Sequence, residues 1–473
     1  MGFWNRRKAL DAASHLDESR RLKRTLSWPH LVALGVGAIV GTGIYTLIGV
    51  GAERAGPAVI VAFVIAGVVC ACAALAYAEM ASLMPAAGSA YTYTYAVGGE
   101  LLAWIVGWSL ILEYSVVCSA VAVGWSGYAT GFLRAAGVNL PDSLLSGIFA
   151  GGAVNLPAIV IVMAVAAMLI AGTRESARVN TALVTVKIVA LLVFIFIGIG
   201  AFHSGNFSPF MPYGFASHTQ GSGNQGVMAA AAIIFFAFYG FDAVSTAAEE
   251  ARNPRDVTRG IIGSMIACTV LYMAVAAAAL GAMPFMDFAK SPEPLAHILR
   301  TLGHPLAATA IGAAAVIALP TVILAFMYGQ SRIFFVMARD GLLPERLGHV
   351  NPKTGTPVAM TLFTAVVVSV VAGLFPLADI AAVANAGTLC AFVAVALCML
   401  VLRVREPSLP RTFRAPLAWL VGPLAVGGCI YLFMSLQSRT REYFFLWNAA
   451  GVGVYFLYSV RNSQLARRTS RLS

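Results

Sequence analysis

The chain has 473 residues, 59% of them hydrophobic and only 11% charged, with a formal net charge of +11. A soluble domain carries about 25% charged residues. Runs of about 20 apolar residues recur along the whole length instead, which excludes a soluble fold and predicts an all-α polytopic membrane protein.

Residues 1–28 form a basic, polar tail, and the apolar run after it is long enough to span, so no cleavable signal peptide is expected. Twelve spans are predicted, at 29–51, 57–83, 99–130, 156–172, 178–201, 225–248, 258–283, 305–337, 357–374, 378–402, 416–436 and 443–461, with a second tail at 462–473. If the N-terminus is cytoplasmic, most of the 31 Lys and Arg face the cytoplasm. Only Arg54, Arg134, Lys290, Arg300, Arg439 and Arg441 fall outside, and Lys187 lies within a span. That asymmetry predicts a multi-pass protein of the cell (inner) membrane with both termini cytoplasmic. It explains the net charge without a nucleic-acid partner. The N-terminal basic run also suits anionic lipid head groups.

The first span, HLVALGVGAIVGTGIYTLIGVGA, holds Gly41-Thr42-Gly43 near its middle. Two glycines around a hydroxyl residue favour local unwinding. Unwinding frees N–H and C=O groups, which persist at membrane depth only where they line a polar cavity. In the third span Glu113 is a buried acid, either a proton or substrate partner or a helix-packing group. The fifth span carries Lys187 inside the uncharged run TALVTVKIVALLVFIFIGIG. A charge there costs about 2.5–3.5 kcal/mol on insertion scales, so it marks either a functional site or a lysine that snorkels to the interface. The sixth span reads GVMAAAAIIFFAFYGFDAVSTAAEE, with Gly240 at mid-span and Asp242 beside it. Asp242 suits either a cap on the broken helix or a substrate contact. Interrupted spans at corresponding places suggest two inverted halves and a transporter site between them. The seven cysteines fall in apolar runs and read as packing residues. No metal site or cofactor is indicated. Glu79, Glu249, Glu250, Arg252 and Arg339 sit near cytoplasmic ends, as an inner-gate network or as ordinary interfacial charges.

Five stretches together resemble the amino acid–polyamine–organocation transporters. They are GVGAIVGTGIY, PAAGSAYTY from Pro85, LILEYSV at Leu110–Val116, FFAFYGFDAVSTAAEEARNP at Phe235–Pro254, and SRIFFVMARDGLLP at Ser331–Pro344. The likeness is greatest to bacterial members of the cationic amino acid transporter subfamily and covers nearly the whole chain. It implies a LeuT-like five-plus-five inverted repeat, here 29–201 and 225–402, followed by two further helices at 416–461. Vertebrate members have two more spans, which are not expected here.

The resemblance implies an L-amino acid as substrate. The N–H groups of Thr42 and Gly43 suit its carboxylate. The carbonyls of Ile39, Phe236, Ala237 and Tyr239 suit its ammonium. Phe241 is either a gate over the substrate or packing. Thr321 or Met327 in the eighth span is open as a side-chain contact, since the sequence does not fix helix phase. Lys187 falls where sodium-coupled relatives place an ion between spans one, five and eight. Its ammonium would stand in for that ion, and burial disfavours the charged form of any amine. Protons are therefore the expected coupling ion, and sodium is not required. Cationic and small neutral amino acids are both open as substrates. Arg134–Asn155 contains no cysteine, so no disulfide-linked glycoprotein subunit is expected, while a small helical subunit held by packing remains open. No repeated filter motif suggests a channel, and no nucleophile constellation suggests an enzyme. A transporter, an exchanger and a non-transporting sensor of the same fold are separated by a liposome flux assay.

Overall fold

The computed structural model describes residues 6–8, 26–84, 88–171, 177–220, 223–246, 248, 251–344, 347 and 358–466. Glu249, Glu250 and most of both tails lie outside the described residues.

The chain is built from helices. In order they are α1 (Trp28–Ile39), α2 (Thr42–Tyr45), α3 (Leu47–Ala55), α4 (Val59–Leu83), α5 (Ser89–Val97), α6 (Glu100–Ala135), α7 (Leu156–Ile170) and α8 (Ala177–Gly200). Then come α9 (Val227–Ile234), α10 (Asp242–Thr246), α11 (Pro254–Ala282), α12 (Phe285–Phe288), α13 (Pro294–Thr301), α14 (Pro305–Ala318) and α15 (Pro320–Arg339). The last are α16 (Val358–Leu374), α17 (Leu377–Arg405), α18 (Ala418–Ser435), α19 (Ser438–Val454) and α20 (Val460–Asn462). Among the described residues, 8 helical stretches are long and apolar enough to cross a membrane. Trp28–Ile39, Leu156–Ile170, Val227–Ala237 and Val358–Leu374 are shorter apolar helices. The chain is therefore a multi-pass membrane protein.

Several details depart from the sequence reading. Strands β1 (His218–Gln220) and β2 (Gly223–Gln225) pair antiparallel in a loop, so the fold is not purely helical. The eighth apolar run is interrupted at Leu319, where Pro320 opens α15. A proline ring clashes with the preceding turn and removes a donor, which accounts for the interruption.

Small residues and large aromatics pack the interior together, with Trp104, Tyr77 and Phe63 among the fully buried side chains. α1 packs on α11 and α8, α6 on α15 and α17, and α11 on α4. Phe196, Leu306 and Leu457 are more than four-fifths exposed, as a surface in hydrocarbon permits.

One end is fastened by ion pairs the sequence did not pair. Glu79 on α4 accepts from Arg403 Nε at 2.8 Å and Nη2 at 2.5 Å, and Arg411 Nε lies 3.0 Å away. The Ala415 N–H donates to the same carboxylate at 2.8 Å. Glu79 thus pairs with Arg403 and Arg411, and among the described residues not with Arg252 or Arg339. At the same end Lys8 Nζ bonds Asp340 at 2.9 Å, and Arg6 lies 3.5 Å from Glu100. These two tail cations are ion-paired within the protein.

Removing one partner of a buried pair costs about 3–5 kcal/mol, because the other charge is stranded. Glu79→Ala strands Arg403 and Arg411 together and should therefore destabilise the purified protein strongly in a detergent unfolding assay. Arg134→Ala breaks the exposed Arg134–Asp142 pair and should leave the midpoint unchanged.

Candidate functional site

Besides the eighth, the first and sixth apolar segments are interrupted. α1 ends at Ile39, Val40 and Gly41 are non-helical, and α2 begins at Thr42. In the sixth segment α9 tightens into a 3-10 turn over Phe235–Ala237. The chain then runs irregularly through Tyr239 and Gly240 before α10 starts at Asp242. Gly240 has φ +115°, a conformation strained for any side chain. A Cβ there would also lie 2.9 Å from the carbonyl carbon of Ala38. A Cβ on Gly43 would overlap the backbone of Ala237. The two interruptions therefore lie backbone against backbone, which only glycine at these points permits.

Interruption frees carbonyls and N–H groups that the lipid interior cannot solvate. Side chains from neighbouring helices take them up. Lys187 Nζ donates to Gly37 O at 3.0 Å and to Thr321 Oγ1 at 3.2 Å, tying α8 to α1 and α15. Lys187 is fully buried, so it does not snorkel. Tyr272 Oη donates to Ile39 O at 2.8 Å, which leaves that carbonyl one lone pair for another donor. Tyr128 Oη donates to Tyr45 O at 2.6 Å. Asn385 Nδ2 reaches Ala232 O at 2.7 Å and Ile233 O at 3.2 Å. Past the sixth break, Asp242 Oδ1 accepts from the Gly240 N–H at 3.1 Å and Oδ2 from Tyr114 Oη at 3.0 Å.

Between the interruptions lies a cavity of about 10 Å³. That holds about one water, so a ligand of several heavy atoms enters only if the surrounding segments separate. Ile39, Gly41, Thr42 and Gly43 line it from the first segment, and Phe236 and Tyr239 from the sixth. Val117 and Val121 on α6, Val322 and Phe326 on α15, and Ala38 complete the wall. Two wall hydroxyls, Thr42 Oγ1 and Tyr239 Oη, are buried without a hydrogen-bond partner among the described residues. An unmet buried hydroxyl costs about 1–3 kcal/mol, so such groups mark places where a ligand bonds. A larger groove of about 730 Å³, lined by Leu192, Phe196, Ile199 and Leu302 among others, is open and apolar.

Other residues singled out from sequence lie off this cavity. Ala237 sits behind Gly43. Phe241 packs edge-on to Tyr77 at 5.6 Å and against Phe392 at 5.0 Å, and does not line the cavity. Glu113 is buried on α6 against Gly387, near Asp242, and its Oε2 has no partner among the described residues. It too stands outside the wall. On α15 the wall residues are Val322 and Phe326, one position away from Thr321 and Met327. Each wall pair on α6 and α15 is spaced i, i+4, the repeat of a single helix face. That spacing is visible in the sequence, but nothing there distinguishes it from an ordinary packing face.

Residues 26–456 match the model of a family described as amino acid permease. The chain is 44% identical over 469 residues to a branched-chain amino acid permease of Bacillus subtilis, covering 97% of this chain and 98% of that protein. It is 41% identical over 464 residues to a methylthioribose transporter of the same organism, covering 97% and 98%. It is 39% identical over 413 residues to a vacuolar cationic amino acid transporter of Arabidopsis thaliana, covering 85% of this chain and 67% of the relative. These relatives are permeases and transporters, not enzymes. The chain belongs to the amino acid permease family of the amino acid–polyamine–organocation superfamily, in its cationic-amino-acid-transporter-like group.

Proposed function

We propose that this chain is a secondary transporter of L-amino acids, working by alternating access in the cell membrane with both termini cytoplasmic. The observation that carries the proposal is the pair of unpartnered hydroxyls, Thr42 and Tyr239, on two interrupted segments that share one small cavity. Twelve spans, arranged as inverted halves at 29–201 and 225–402 with two further helices, would place that cavity near the midplane. The carboxylate would bond the Thr42 hydroxyl and the N–H groups of Thr42 and Gly43. The ammonium would bond carbonyls at Ile39, Phe236, Ala237 and Tyr239.

The side chain of the substrate would meet Val117, Val121, Val322 and Phe326. Among the described residues no acid lines the wall, so an aliphatic side chain fits and a cationic one lacks a counter-charge there. The name of the branched-chain relative agrees with an aliphatic substrate. Methylthioribose has hydroxyls and a methylthio group but neither carboxylate nor ammonium, so one experiment separates it. Purified protein should be stabilised thermally by L-leucine, L-isoleucine or L-valine. Leucinamide and isoamylamine should do nothing. Equal stabilisation by methylthioribose alone would reverse the assignment.

A hydrogen bond to a charged group contributes about 1.5–3 kcal/mol. Thr42→Val, which keeps the shape and removes the hydroxyl, should weaken L-leucine binding by about 10- to 100-fold in calorimetry. Thr42→Pro also removes the N–H and should abolish binding.

Coupling is proposed to run through Lys187. Its ammonium would hold α1 against α8 and α15, and losing its proton would loosen that contact. Glu113, with an unpartnered oxygen, is a second place for a proton or a donor. Proteoliposomes should take up L-leucine under an imposed proton gradient and not under a sodium gradient. Lys187→Ala should lose pH-dependent uptake. Lys187→Arg should not restore it, because arginine does not deprotonate in proteins. A sodium-driven signal would make the lysine a purely structural link. Binding without flux would indicate a sensor, and flux only against internal amino acid would indicate an exchanger.

A further inference from the structure

We propose that Asn385 on α17 is a positioning residue for the substrate site, holding the sixth-segment interruption open from outside the cavity. The inference rests on that interruption being part of the substrate site. α17 contributes no residue to the cavity wall, and nothing in the sequence set Asn385 apart.

The geometry is specific. The Asn385 side chain is fully buried, and its Nδ2 donates to two successive carbonyls, Ala232 O at 2.7 Å and Ile233 O at 3.2 Å. In an unbroken α-helix those carbonyls would accept from the N–H groups of Phe236 and Ala237, four residues on. The chain instead tightens into the 3-10 turn at Phe235–Ala237. A buried amide with two well-placed donors makes the loss of regular helix bonds tolerable in hydrocarbon. Under the proposed binding mode, the carbonyls of Phe236, Ala237 and Tyr239 would then be available to the substrate ammonium.

Seven residues on, two helical turns along the same face, Phe392 continues the grip. Its ring lies 5.6 Å from Phe235, before the interruption, and 5.0 Å from Phe241, after it. Tyr77 closes the cluster at 5.3 Å from Phe392. α17 thus holds the sixth segment by an amide on one side of Gly240 and rings on both sides. The acceptor half of the amide, Asn385 Oδ1, has no partner among the described residues. A residue kept for packing alone would not strand an acceptor there, since leucine is similar in shape and carries no such penalty.

Amide hydrogen exchange on the purified full-length protein, without added amino acid, tests this directly. Peptides spanning Val227–Thr246 are compared with control peptides from α14 in the parent, Asn385→Ala and the milder Asn385→Ser. The expected result is at least tenfold faster exchange within 232–241 in Asn385→Ala, less in Asn385→Ser, and none beyond error in α14. Exchange unchanged in 232–241, or raised equally throughout the chain, would overturn the proposal. L-leucine uptake is measured alongside, with KM expected to rise at least tenfold in Asn385→Ala. A parent that ignores leucine would defeat the substrate assignment and leave the exchange comparison to decide on Asn385.

Discussion

Hydrocarbon cannot hydrogen-bond a peptide group, and everything notable in this molecule follows from how that constraint is met. An uninterrupted helix meets it internally. Here the first and sixth segments are interrupted near the cavity, at Val40–Gly41 and at Tyr239–Gly240. The freed groups are shared out among side chains from α6, α8, α11 and α17. Tyr128, Lys187, Tyr272 and Asn385 each take a carbonyl near an interruption, and Asp242 takes an N–H. Two hydroxyls left over at the small cavity among the described residues, those of Thr42 and Tyr239, are what the proposed ligand would satisfy.

Lys187 joins several helices through one residue, which is why the proposed coupling is placed on it. Its ammonium bonds a carbonyl of α1 and a hydroxyl of α15 while its backbone belongs to α8. Three helices meet at a single titratable group. The Lys187 carbonyl also accepts from Tyr45 Oη at 3.3 Å, so α2 is tied in as well. Under the proposed coupling, changing the charge of that group would act on the Gly37 and Thr321 contacts together and so link a proton to a conformational change.

Much of this was legible in the sequence, for identifiable reasons. Glycine beside a polar residue in an apolar run announces an interruption, so Gly41 and Gly240 stood out. A lone charge in a span announces itself on energetic grounds, so Lys187 did too. Helix phase was not legible: Thr321 and Met327 were open as wall residues, and their neighbours Val322 and Phe326 line the cavity. Phe241 was open as a gate or as packing, and its ring lies against Tyr77 and Phe392. Asn385 was invisible because its role depends on carbonyls some 150 residues earlier, and no local pattern encodes that distance. The ion pairs of Glu79 were hidden for the same reason.

The central claim is that the two interruptions together bind the zwitterionic end of an amino acid. The most direct measurement is a structure of the protein in lipid nanodiscs with L-leucine bound. The account predicts the carboxylate against Thr42 and Gly43, the ammonium against carbonyls of Phe236–Tyr239, and the isobutyl group among Val117, Val121, Val322 and Phe326. Leucine bound elsewhere, with the cavity between α2 and Tyr239 still closed, would contradict it.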